Sequence, residues 1–277
     1  MARFAAAWIA LVATVAGCRH VDSYLDPEGP RYAGTAEAPR PDPEPGLRVV
    51  SYNVEFSRHV EEAVEALRTR EPLREADVLL LQEMNAEAVE RIASAMGFHY
   101  VYYPATERSG GGFGNAVASR WPIVEDHKVI LPHPSPANQE RRIAVAATIE
   151  APFGRFAVYS VHSETPWLSL RGRVEQLRSL LDDAHQRYAP LRIPVIVGGD
   201  MNTPEARGAD LLRDLFRRDG FEHATRDVPN TADYFVARVT LDYVFVRGFE
   251  VRRAGAEVTD ASDHAALHVL MAPTERR

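Results

Sequence analysis

An α+β fold of two packed sheets with helices outside them is what this 277-residue chain predicts. Three observations point to it. Strand-like segments outnumber helix-like ones along the chain. Many of those strands are continuous apolar runs, as a strand needs when both its faces are covered. No repeat of fixed period suggests a solenoid. Apolar content of 45% and charged content of 26% are ordinary for a globular domain. The formal net charge of −7 removes the global basic field that would draw the chain onto nucleic acid.

The chain opens with Met1-Ala2-Arg3, a short positive region, followed by an apolar run from Phe4 to Ala16. That run is too short to span a bilayer and suits the apolar part of an export signal. It ends in Val15-Ala16-Gly17-Cys18. Here the sequence resembles a bacterial lipoprotein leader, which implies cleavage of residues 1–17 and lipidation of Cys18. The expectation is an exported protein, lipid-anchored to a membrane of the cell envelope, with no transmembrane helix needed. Cys18 is the single cysteine, so no intrachain disulfide can form. Residues 19–46 hold six prolines and three glycines without apolar periodicity. Residues 18–46 therefore read as a tether.

At Leu47 the composition changes, and Leu47–Asn53 has the β-branched content of a strand. No second linker follows, so residues 47–277 read as one domain. Val60, Ala63, Val64 and Leu67 recur at helical spacing, and Asp77–Gln82 is a compact strand-length run. Val89, Ile92, Ala93 and Met96 form a second helical stripe that Gly97 ends. Strands are expected at Phe98–Tyr103, Asn115–Ser119, Ile143–Glu150 and Arg155–Val161. Val174, Leu177, Leu181 and Ala184 mark a long helix before the Pro194 strand, and Leu211, Leu212, Leu215 and Phe216 mark another. Thr240–Val246, Glu250–Glu257 and Ala265–Leu270 finish as strands. Gly110-Gly111-Gly112 with Gly114 lacks a following Gly-Lys-Ser/Thr and reads as a flexible connection. Trp167 and Leu168 read as packing residues.

Polar residues collect at the ends of these apolar runs. Pro194-Val195-Ile196-Val197 stops at Gly198-Gly199, and Asp200 and Asn202 follow. Asn53, Glu83 and His162 close three other runs, Asp242 opens one, and Asp263-His264 precedes the last. In layered β folds function gathers on one rim, where loops meet. Glu83 and Asp263, with the Asn53 amide, supply hard oxygen ligands. Sparse carboxylates of this kind fit Mg2+, with Mn2+ or Ca2+ as alternatives, better than zinc. Asp200 has the chemistry to orient or deprotonate a water. His264 and His162 have the chemistry to hydrogen-bond a phosphate or move a proton near neutral pH. Asp242 is suited to orient an imidazole.

The set Ser51-Tyr52-Asn53, Leu81-Gln82-Glu83, Val161-His162-Ser163, Gly198–Asn202, Leu241-Asp242-Tyr243 and Ser262-Asp263-His264 resembles the endonuclease/exonuclease/phosphatase superfamily over residues 47–271. Gly114–Pro122 is similar to a mid-domain strand of that family. The resemblance implies a four-layer α/β/β/α sandwich and metal-dependent phosphoester hydrolysis. It makes Glu83 the principal metal ligand, with Asn53 and Asp263 close by. Asp200 then positions the attacking water, Asn202 helps hold the phosphate, and His264, paired with Asp242, acts as base or stabilises developing charge. His162 matches the branches that hold deoxyribonucleases and sphingomyelinases. Asn115, and Arg142 of an exposed arginine pair, are the candidate substrate contacts.

Two functions follow. One is a lipid-anchored, metal-dependent phosphoesterase, a monomer acting on nucleic acid, a phospholipid head group or a small phosphoester. The other is a catalytically inactive lipoprotein that captures phosphorylated ligands on the same fold.

Overall fold

The computed structural model describes residues 22–36, 46–108, 111–234 and 237–274. Cys18 and the leader lie outside the described residues. Two mixed sheets pack face to face and helices cover both outer faces. The first sheet holds β1 (Tyr32–Gly34), β2 (Leu47–Asn53), β3 (Val78–Met84), β4 (His99–Arg108), β5 (Gly111–Ser119), β14 (Phe249–Glu257) and β15 (Ala266–Pro273). Their spatial order is β1-β4-β5-β3-β2-β15-β14. The second holds β6 (Ile123–Ile130), β7 (Ile143–Ala151), β8 (Gly154–His162), β9 (Val195–Asp200), β10 (Glu222–His223) and β13 (Asp242–Arg247), in the order β10-β13-β9-β8-β7-β6. A small ribbon pairs β11 (Ala232–Tyr234) with β12 (Ala237–Val239).

Side-chain alternation explains the layers. On β2, Leu47 and Val49 face the second sheet, meeting Phe156, Ile196 and Val244 in the central core. Val50 and Tyr52 face outward, onto helices α1 (Val60–Thr69) and α2 (Ala86–Met96). On β9, Ile196 points inward, while Val195 and Val197 pack on α3 (Leu170–Tyr188) and α4 (Ala206–Arg218). Strands buried on both faces have no polar side to show, hence the continuous apolar runs. Each sheet contains one parallel pair, β2–β3 and β8–β9, joined through α1 and α3 respectively. Such crossovers need a helix lying on the sheet face, which puts the helices outside. Among the described residues no helix is long and apolar enough to cross a membrane.

Three expectations need correction. Within the stretch read as a tether, residues 22–36 lie on the domain. Tyr32–Gly34 pairs with Tyr100–Tyr102 of β4, and Ser23 bridges Thr106. Proline and charge content misled because an edge strand needs neither periodicity nor apolar runs. The glycine connection belongs to a hairpin, since Gly111, Gly112 and Gly114 all lie in β5. A Cβ on Gly114 would come within 2.1 Å of the Tyr103 carbonyl oxygen, so the glycine serves close strand approach. The sequence reading also missed β6, an edge strand whose Glu125, Asp126, His127 and Lys128 hide its apolar positions.

Candidate active site

Strand register assembles the site from both sheets. In the second sheet, Asp200 pairs with His162 across the parallel β8–β9 ladder and with Asp242 across β9–β13. Three chemically useful side chains thus stand side by side. The two glycines before Asp200 make that packing possible. Gly199 sits at φ +148, and a Cβ there would meet the Val161 carbonyl oxygen at 1.9 Å. A side chain at Gly198 would meet Leu80 of the facing sheet at 2.8 Å. In the first sheet, Asn53 pairs with Gln82, and Glu83 follows in a register shift between Leu81 and Met84 against β5. Glu83 takes φ 60 there. A left-handed conformation at such a residue costs on the order of 1–3 kcal/mol and marks functional positions.

Glu83, His162 and Asp200 converge, with one ligand atom from each lying within 4.8 Å of the other two. The His162 Nε2 is 3.5 Å from an Asp200 oxygen and 3.9 Å from a Glu83 oxygen. The Asn53 amide nitrogen donates to both acids at 3.2 Å, while its oxygen accepts the Glu55 N–H at 3.1 Å. The second Glu83 oxygen accepts the Phe56 N–H at 3.1 Å. On the other side of Asp200, His264 Nε2 lies 3.8 Å away and its Nδ1 meets Asp242 at 2.9 Å. Thr231 donates its hydroxyl to Asp242 at 2.7 Å and accepts the Leu241 and Asp242 N–H groups. Asn202, at φ 46, aims its backbone N–H at Asp200 at 2.9 Å.

Burial governs the charges. It raises the Glu83 carboxyl above its ordinary range, partly offset by Arg142 and the Asn53 hydrogen bond. It pushes Asp200 up to about 7, against the pull of His264. His162 falls well below 6.5, first through burial and then through the Arg142 charge. Burial works to lower His264 too, but the Asp242 charge and hydrogen bond, with the charges of Asp200 and Asp263, hold it up at about 10. The group therefore offers one half-buried and one buried acid, both raised above their ordinary range, beside a neutral imidazole. That donor set fits a divalent cation.

The predicted site residues stand in these contacts. Asn53 meets the acids as a hydrogen-bond donor, and its oxygen accepts the Glu55 N–H. Asp263 is exposed and is not among the Glu83, His162 and Asp200 side chains that converge. Arg142 is buried, bonded to Glu164 at 3.2 Å and to the His162 ring at 3.4 Å, and is no surface arginine. Asn115 spends its amide hydrogens on the Ile143 and Ser160 carbonyls, tying the two sheets together, so it cannot donate to a substrate. Likewise the Asn202 side-chain amide donates to Ser163. Trp167, read as a packing residue, is 78% exposed. Glu164, Thr231 and the Phe56 turn were missed. An acid two residues after His162 was a visible signal for Glu164; Thr231 has none, being eleven residues from its partner in an irregular segment.

The sequence pattern of the Endonuclease/Exonuclease/phosphatase family matches residues 50–264. The chain belongs to that family. Over 96 residues it is 38% identical to a UPF0294 protein of Vibrio cholerae serotype O1, a match covering 34% of this chain. It spans about a third of that relative's length, 32%. Among solved structures, the fold is similar to the human Nocturnin catalytic domain with bound sulfate anion. The TM-score there is 0.66 at 20% identity, over 88% of this chain and 98% of that one. It is also similar to D. rerio TDP2 complexed with single strand DNA product, with TM-score 0.64 at 19% identity over 82% and 98%. Enzymes of the endonuclease/exonuclease/phosphatase family are phosphoesterases that use divalent metals, and this member carries a group able to hold one.

Proposed function

We propose that this chain is a divalent-metal-dependent phosphoesterase, exported and lipid-anchored through Cys18 at the cell envelope. The observation that carries the catalytic part is the position of Asp200, between a metal-capable pair on one side and a charged histidine on the other. Glu83, Asp200 and His162 would hold the ion. We favour Mg2+ for the hard oxygens, and the His162 imidazole makes Mn2+ a better substitute than Ca2+. When bound, the metal draws charge from a phosphoryl oxygen and acidifies a water.

The chain's own groups do the rest. Asp200 accepts hydrogen bonds from Asn202 and Asn53, which fix its orientation toward the water it aligns. His264 presents a protonated Nε2 toward the same place and stabilises charge that develops on phosphate. Asp242, held by Thr231, keeps His264 charged and oriented. Arg142, 3.4 Å from both ring nitrogens, steadies the His162 ring.

The test is turnover of bis(p-nitrophenyl) phosphate and p-nitrophenyl phosphate by the purified chain with Mg2+, Mn2+ or Ca2+. Activity that EDTA abolishes and excess metal restores is expected. Absence of turnover on these and on DNA, RNA and phospholipid would favour the inactive capture protein.

A further inference from the structure

Asp22, Ser23 and Tyr24, which follow Cys18 closely in the chain, are fastened to the rim of the active site. We propose that the enzyme acts on phosphoesters of the very bilayer that anchors it, with the site mouth facing that bilayer. This rests on the phosphoesterase and Cys18 lipidation readings above.

The fastening is dense. The Glu107 N–H donates to the Asp22 carbonyl at 3.0 Å and the Tyr24 N–H to the Ala105 carbonyl at 2.9 Å. The Tyr24 hydroxyl donates to Glu107 at 2.7 Å, and the buried Lys128 ammonium donates to the Tyr24 carbonyl at 2.9 Å. Ser23 Oγ accepts the Arg141 N–H at 3.1 Å, and the next residue, Arg142, touches His162. The docked segment is thus two residues of chain from the metal-capable group. Only Arg19, His20 and Val21 separate Cys18 from Asp22. Four extended residues reach at most about 14 Å. A free tether over 18–46 would have reached nearly 100 Å, at about 3.4 Å per residue, and would have left orientation open. A lipidated Cys18 on the short leash keeps the rim at the membrane surface.

The rim has the side chains for that surface. Trp167, in the loop after His162, is 78% exposed, and Leu25, next to the docked segment, is 55% exposed. Phe56 and Phe113, their rings 5.4 Å apart, wall a cleft of about 360 Å³ that Glu83 also lines. Arg58 and Arg108 lie over the Phe56 ring at 4.9 and 5.2 Å. Amphipathic aromatics and arginines at a rim suit the boundary between head groups and acyl chains. Phe153 and Leu191 are exposed at the opposite end of the sandwich, so exposure alone does not choose a face. The leash chooses it. An aromatic and arginine cleft also suits stacked bases, so an oligonucleotide is one arm of the test.

The experiment uses the full chain, made in a bacterium, purified from its membranes and reconstituted into phosphatidylglycerol/phosphatidylethanolamine vesicles. Mass spectrometry reads lipidation at Cys18; an unmodified cysteine overturns the proposal while soluble phosphoester turnover judges the activity separately. After leader cleavage two tryptophans remain, exposed Trp167 on the rim and buried Trp121 at the far end of β5. With brominated acyl chains, fluorescence quenching is expected, and Trp167→Phe should remove it. Unquenched emission from the lipidated protein overturns the proposal independently of any activity. Inserting twenty Gly/Ser residues between Val21 and Asp22 should cut head-group hydrolysis in the anchored vesicle about tenfold, through lower effective concentration. Turnover of bis(p-nitrophenyl) phosphate should stay unchanged. Equal vesicle hydrolysis with and without the insertion, or turnover of an oligonucleotide with none of the lipid, overturns it.

Discussion

Two histidines flank Asp200 at nearly equal distance, His162 at 3.5 Å and His264 at 3.8 Å, yet they carry different charge. Both are buried. The difference lies beside each ring. Arg142 lies against His162, 3.4 Å from both ring nitrogens, so burial and a like charge act together and the ring stays neutral. Asp242 backs His264, so an opposite charge overcomes burial and the ring stays protonated. One flank becomes a lone-pair donor and the other a hydrogen-bond donor, from the same residue type. The lesson is that the residue beside a histidine, rather than the histidine, assigns the role.

The comparison can be broken at its centre first. Asp200→Asn removes the charge both flanks address, and kcat with Mg2+ should fall by about 10⁴-fold with the unfolding temperature nearly unchanged. His264→Gln should lower kcat by about 10³-fold while Mn2+ affinity, read by titration calorimetry, stays within a factor of three or so. His162→Gln should do the reverse, weakening Mn2+ binding more than it slows saturated turnover. If both variants behave alike, the flanks do not have separate roles.

A finer test replaces what stands beside each ring. Asp242→Asn should cost about 100-fold in kcat. In the wild type the His264 proton is held up to about 10, so a rate that needs that proton is present below this pH and lost above it. Without the Asp242 charge the loss should move down toward 6.5, the ordinary value. Arg142→Met should let His162 protonate more readily, so Mn2+ affinity falls by about tenfold at pH 6 and little at pH 8.

The smallest effect sharpens the comparison from outside the site. His223, stacked on Phe245 at 4.7 Å, is lowered to about 4 by burial and then by Arg213 and Arg226. Its folded value lies below its unfolded one, so the stability it confers is present above 6.5 and lost as pH falls toward 4. His223→Gln should flatten the pH dependence of chemical unfolding in that window by roughly 3 kcal/mol at most. Turnover should not change.

Most of the layering was legible because strands buried on both faces leave continuous apolar runs, as at Val78–Leu81 and Val195–Val197. Helices α1 and α2 showed through their stripes, and α2 through Gly97 at φ 67. Edge strands β1 and β6 did not, because one polar side is enough to erase the signal. The site residues were legible as strand ends, but their partners were not. Whether Asn53 offers an amide hydrogen or an oxygen, and whether Arg142 faces solvent or His162, depends on register across two sheets, which no local pattern encodes. Asn115 shows the opposite error: a polar residue in a familiar motif that ties the sheets together.

The central claim is that Glu83, His162 and Asp200 hold a divalent cation. Pulsed electron paramagnetic resonance of the Mn2+-loaded chain tests it most directly. The account predicts saturable binding with a directly coordinated imidazole nitrogen that His162→Gln removes, and binding lost in Glu83→Ala. Nitrogen coupling that survives His162→Gln, or Mn2+ binding indifferent to Glu83→Ala, would contradict it.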